Sequence, residues 1–153
     1  MKIFSKRFDT ELEFDDKMIL KLDWGLFGFP NSKRFCILEL DADNAPFKWL
    51  HDVDNTNVAL LITDPYQFFP QYNPKISEGI IQDLKIKDLQ DELMLFTIVK
   101  VAKGGAEAFT NLRAPVVVNS TTKEARQIIL ESDEYSVKTM LFSRDLSAKA
   151  EAS

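Results

Sequence analysis

The chain has 153 residues, 45% of them hydrophobic and 28% charged, with a formal net charge of −5. That length suffices for one self-standing core, and the composition is too ordinary for a disordered or fibrous chain. No apolar run approaches the roughly 18 residues that a membrane span needs, and the opening MKIFSKRF returns to charge before a signal-peptide core could form, so the cytoplasm is the expected compartment.

Strand signals dominate along the chain. Lys2 to Phe8, Met18 to Trp24 and Phe35 to Leu40 are short runs rich in Ile, Leu and Phe, with turn chemistry between them at Asp15–Asp16 and Pro30–Asn31. A helical turn is predicted over Phe47 to His51, because Pro46 suits a helix start and Phe47 and Leu50 would share a face. Val58 to Thr63 is the next strand. Pro65 to Pro74 then packs four aromatic rings and three prolines into ten residues, and each proline removes a backbone donor, so an ordered loop is expected there. Ser77 is placed to cap a short helix over Ser77 to Leu84 with Ile80, Ile81 and Leu84 on one face, although Gly79 works against it. Leu93 to Ala102, Pro115 to Asn119 and Arg126 to Leu130 complete the strands, punctuated by Gly104–Gly105 and Asn119–Ser120. The expected fold is mainly β: a single antiparallel, barrel-like domain over residues 1–142 with one or two short helices, followed by a flexible tail over 143–153.

The inventory for catalysis is thin. With one histidine, His51, and one cysteine, Cys36, a histidine-rich metal site and a structural zinc site are both excluded, as is an intramolecular disulfide. A Cys36–His51 nucleophile pair is formally available, but Cys36 falls inside a strand pattern that would bury and silence it. Asp41 with Asp43, or Asp52 with Asp54, lacks the further oxygen ligands of a calcium loop, and a plain acidic loop explains them. Gly25 to Pro30 holds no phosphate-loop pattern. No cofactor is expected, and the chain does not read as an enzyme.

Charge is unevenly spread. From Phe35 to Pro74 six acids (Glu39, Asp41, Asp43, Asp52, Asp54, Asp64) stand against Lys48 alone, which disfavours direct nucleic-acid binding and suits a basic protein partner, or else simply a solvated face. The aromatic, proline-braced loop follows directly. Asp52, Asp54, Asp64, Phe69 and Tyr72 are therefore the expected partner contacts.

Several motifs together resemble the FliW flagellar assembly factors. Gly25-Leu26-Phe27-Gly28-Phe29 is similar to that family's G-L-x-G-F turn, with Phe27 where proline is common; Pro46-Phe47-Lys48-Trp49-Leu50 is similar to its P-F-x-x-L segment. Asp64-Pro65 with Phe69-Pro70 and Tyr72 resembles its D-P-x-x-F-x-P-x-Y loop. Phe109-Thr110-Asn111-Leu112-Arg113-Ala114-Pro115 followed by Val116 to Asn119, Gln127 and Tyr135 resembles its T-x-N-L-x-A-P block and trailing residues. The resemblance runs from about Phe8 to Leu141 and implies a barrel-like antiparallel fold with two mutually exclusive protein partners. One is CsrA, a basic dimer that represses translation on messenger RNA and would be antagonised allosterically; the other is flagellin, offering an amphipathic terminal helix. An export chaperone without effect on an RNA regulator is the alternative. Gly25, Gly28, Pro65, Thr110, Asn111, Leu112, Pro115 and Asn119 are expected to serve structure before contact.

Overall fold

Eleven strands and one α-helix make up the described residues, 1–39 and 46–143, of a computed structural model. Strands β1 (Lys2–Ser5) and β2 (Thr10–Glu13) form a separate antiparallel hairpin, with Ile3 opposite Leu12. The main sheet has nine strands. Along its principal path it runs β10 (Ala125–Gln127), β9 (Val116–Asn119), β7 (Leu93–Ala102), β6 (Ala59–Thr63), β5 (Phe47–Asp52), β4 (Arg34–Leu38), β3 (Leu20–Lys21). The far half of β7 also pairs with β8 (Glu107–Thr110), which carries β11 (Thr139–Ser143) on its other side.

All named strand pairs are antiparallel, yet the sheet curls until its two ends touch. Lys21 forms a parallel bridge with Glu124 just before β10, and the Lys21 amide donates to the Lys123 carbonyl at 2.9 Å. Period-two alternation then points one side of the strands inward: Leu20, Phe35, Leu50, Ile62, Phe96, Val116, Val118 and Ala125 pack together with Leu22 and Leu26. The barrel-like expectation holds.

Two outer layers complete the packing. Cys36 and Leu38 on β4, facing the opposite way from Phe35, meet Leu12, Ile19 and Val53 beneath the β1–β2 hairpin. Helix α1 (Glu78–Asp83) lays Ile80 and Ile81 with Leu84 over Val117 and Ile128. Ser77 caps it as its spacing predicts, its hydroxyl accepting from the Ile80 amide at 3.3 Å. Covered on both faces, all four residues of β9 are buried.

One expected element is corrected. Phe47 to His51 is not a helical turn but most of β5, a strand paired on both sides, with Leu50 opposite Ile37 on β4 and Leu60 on β6. Two ladders satisfy its backbone at once, which outweighs the local preference of one proline for a helix start. Met18 to Trp24 is likewise shorter than expected, a 3-10 turn over Asp16–Met18 followed by the two-residue β3. Leu40, Asp41, Asp43 and the tail from residue 144 lie outside the described residues.

Candidate functional site

Three of the four family-like motifs, all but Pro46 to Leu50 on β5, converge around one region. Leu26 to Phe29 is a tight turn closed by reciprocal backbone bonds of 3.0 and 2.8 Å. Gly28 takes φ +87 there; Gly25, at φ +67, would bring a Cβ to 2.5 Å from the Pro30 carbonyl oxygen, so only glycine fits. The Phe27 amide donates to Gln127 Oε1 at 2.9 Å, and Gln127 Nε2 donates to the Ala114 carbonyl at 3.1 Å. One glutamine thus ties the glycine turn to the asparagine–proline block.

That block is held from within. Asn111 Oδ1 accepts from the Arg113 and Ala114 amides at 3.1 and 3.0 Å, while Thr110 Oγ1 lies 2.7 Å from Thr97 Oγ1 and 2.8 Å from the Ile98 carbonyl. Leu112 and Pro115 are buried beside this turn. Asn119, wholly buried, donates from Nδ2 to the carbonyls of Leu84 and Lys85 at the end of α1 and accepts on Oδ1 from the Thr121 and Thr122 amides. Every polar valence of that amide is used, which is what permits its burial.

The aromatic loop reaches the same block. Asp64 caps a 3-10 turn over Pro65–Gln67 by accepting from the Tyr66 amide at 3.0 Å, with Pro65 buried at its first position. Tyr72 donates from its hydroxyl to the Leu112 carbonyl at 2.6 Å, and its ring meets those of Tyr66 and Tyr135 at 5.7 and 4.7 Å. Tyr135 accepts the Asn73 amide at 2.9 Å. Burial holds the Tyr72 phenol well above its ordinary pKa; burial, then the nearby Asp64 carboxylate, raises that of Tyr66.

The five expected contact residues do not share one surface. Asp52, only 1% exposed, turns inward, and its Oδ1 accepts the Asp54 and Asn55 amides at 2.8 and 2.9 Å to build the β5–β6 turn. Tyr72 is 4% exposed. Asp54 is exposed but paired with Arg34 through bonds of 3.0 and 2.6 Å; that hydrogen-bonded guanidinium lowers its pKa, against a small opposing effect of burial. Asp64 is exposed and Phe69 half-buried. The strand β6 stands between Asp54 and Asp64, a separation of roughly 17 Å at the rise of an extended chain. Glu39 pairs with Lys48 at 3.1 Å. Much of the negative stretch therefore supplies turns and local pairs.

Cys36 and His51 are direct cross-strand partners, as a nucleophile pair would require, but the arrangement is inert. His51 Nε2 lies 2.6 Å from Ser5 Oγ, a contact that pins the hairpin to the barrel, and Nδ1 lies 2.7 Å from the Asp52 carbonyl on the same strand, so both ring nitrogens are engaged. Burial pushes the Cys36 thiol up to about 11. Among the described residues no three His, Cys, Asp or Glu side chains are grouped to hold a metal ion, and no helix is long and apolar enough to cross a membrane.

A groove that the sequence reading missed lies where the sheet's ends part beyond the Lys21–Glu124 bridge. It encloses about 1030 Å³ between the Trp24–Phe27 segment, the start of α1 and residues 126–135. Trp24 is 72% exposed under the Arg126 guanidinium, 5.1 Å from its ring centre, and Phe27 and Ile129 are exposed beside it. The signal was present: three consecutive apolar residues, Ile128 to Leu130, cannot all turn to one face of a strand, so one had to face outward.

A curled sheet of nine strands whose ends are joined at one bridge defines a small barrel-like β protein. The chain belongs to the FliW family, whose model, described as FliW protein, matches residues 2–141. It is 36% identical to a flagellar assembly factor FliW of Clostridium beijerinckii over 141 residues, covering 92% of this chain and 98% of that one. It is 33% identical to one from Thermoanaerobacter pseudethanolicus over 138 residues, covering 90% and 91%. A crystal structure of the flagellar assembly factor FliW superposes with a TM-score of 0.83 at 28% identity, covering 95% of this chain and 99% of that chain.

Proposed function

We propose that the chain is a cytoplasmic flagellar assembly factor that works by binding proteins and catalyses nothing. In this reading it alternates between two partners. Bound to CsrA, it relieves repression of flagellin messenger RNA by an allosteric route; bound to flagellin, it leaves CsrA free to repress. Secretion of flagellin then restores the first state. The observation that carries the reading is family membership over residues 2–141 among relatives described as flagellar assembly factors.

The net charge of −5 suits a basic partner and opposes direct contact with a phosphate backbone. Asp54, Asp64 and Phe69 are the proposed contacts, with Asp52 and Tyr72 bracing the loops that carry them. The occupied ring nitrogens of His51 and the silenced Cys36 thiol favour a binding role over a catalytic one. Replacing Asp54→Lys and Asp64→Lys together is expected to weaken CsrA binding about tenfold and to flatten its dependence on salt, read by calorimetry at low and high ionic strength. Unchanged affinity and slope in a folded variant would remove these carboxylates from the interface.

A further inference from the structure

Residues directly opposite one another in an antiparallel pair share a face of the sheet. Ile37 stands opposite Leu50, Lys48 opposite Ile62, and Met94 opposite Val118. Leu50, Ile62 and Val118 belong to the inner core, so Ile37, Lys48 and Met94 face inward as well. Inward positions of a small barrel are ordinarily filled. Here Met94 is 54% and Ile37 38% exposed, and among the described residues no side chain plugs this end of the interior. The mouth is a cavity of about 410 Å³ between these two and the buried Ile62 and Phe96. That is near the low end of the roughly 300–1,000 Å³ usual for ligand pockets, which suits one or two side chains rather than a whole element.

The rim decides the charge of the occupant. Glu39 and Asp64 line it with a single base, Lys48, whose ammonium already lies 3.1 Å from Glu39 Oε1. Asp64 caps the Tyr66 amide through Oδ1 and has no cation paired with it among the described residues, whereas Asp54, beyond the other end of β6, is matched by Arg34. Thr63 fixes the rim where β5 begins, its hydroxyl donating to the Pro46 carbonyl at 3.1 Å. We infer that the mouth receives an apolar side chain of a protein partner with a lysine or arginine beside it. The apolar group packs against Ile37, Met94 and Phe96, and the cation meets Asp64. This deepens the reading of the chain as a binder of a basic protein, and rests on it.

A phage-displayed library of random seven-residue peptides, depleted on a Met94→Arg variant shown by circular dichroism to be folded and then selected on the full chain, tests this. Enriched peptides are expected to join a bulky apolar residue to an adjacent lysine or arginine. Asp64→Asn, which keeps the Tyr66 cap, should weaken synthetic versions about threefold at low salt. In the methyl-labelled protein, whose methionines number four, they should shift the Met94 signal and leave that of Met140 on β11 in place. Acidic or uncharged peptides, equal binding to Asp64→Asn, an unmoved Met94 signal, no enrichment, or a dimer of the chain that Met94→Arg dissolves would each overturn the proposal. CsrA measured alongside separates the mouth from the partner. It should bind Met94→Arg about tenfold more weakly than the wild type. Peptides seated at the mouth without any CsrA binding would uphold the mouth and contradict that partner, and CsrA binding equally to both chains would overturn the mouth and uphold the partner.

Discussion

Asp52, Asn119 and Cys36 share the property of being polar or reactive in type and silent in place. Asp52 spends its carboxylate on two turn amides and Asn119 its amide on a helix end and a turn. Sequence reading placed Asn119 in a structural block but put Asp52 on the surface, because a carboxylate's exposure depends on which loop amides it caps, and that is set by the β5–β6 pairing. Cys36 permits a direct test. Its thiol, held up to about 11 by burial, stays protonated in the fold where an unfolded chain, with a thiol near 9.0, releases the proton. The stabilisation from the buried neutral thiol is therefore complete below pH 9 and lost as pH rises through 11. At pH 8 the native protein should resist a chromogenic disulfide reagent that labels the denatured chain at once; rapid native labelling would show that Cys36 is accessible.

Among the elements, β7 was legible to the residue because nine of the ten positions between Glu92 and Lys103–Gly104–Gly105, all but Lys100, are apolar or β-branched. Helix α1 was legible from its serine cap. By contrast β2 (TELE) buries only Leu12, and β8 (EAFT) fills its core positions with Ala108 and Thr110, so neither shows a hydrophobic run. Their pairing is long-range and leaves no local mark. The β1–β2 hairpin, outside the main sheet, depends on the Ser5–His51 contact and on the Phe8 amide's bond to Ser5 Oγ at 3.0 Å. Ser5→Ala leaves a buried ring nitrogen without its hydroxyl partner and should cost about 1–3 kcal/mol. Denaturant unfolding would measure that loss, and hydrogen exchange should show faster opening in residues 1–13 than in the barrel. Uniform exchange with unchanged stability would mean the pin is dispensable.

For the whole molecule, the barrel was legible from the number of short strands and their turn chemistry, whereas the open seam was not. It follows from where β3 ends relative to β10, a relation between residues about a hundred positions apart. The motif residues gather at this scale too, since Gln127, Tyr72 and Tyr135 link segments far apart in sequence. Their shared role is to hold loops in register, which leaves the charged and apolar surfaces around them free to meet partners.

The most direct measurement mixes the purified chain with CsrA and with flagellin from the same organism and follows complexes by size-exclusion chromatography at low and high salt, with flagellin added to the preformed CsrA complex. The account predicts two complexes that exclude one another, with the CsrA complex weakening as salt rises. Binding to flagellin alone would contradict the partner switch and indicate an export adaptor, and binding to neither would contradict the functional account altogether.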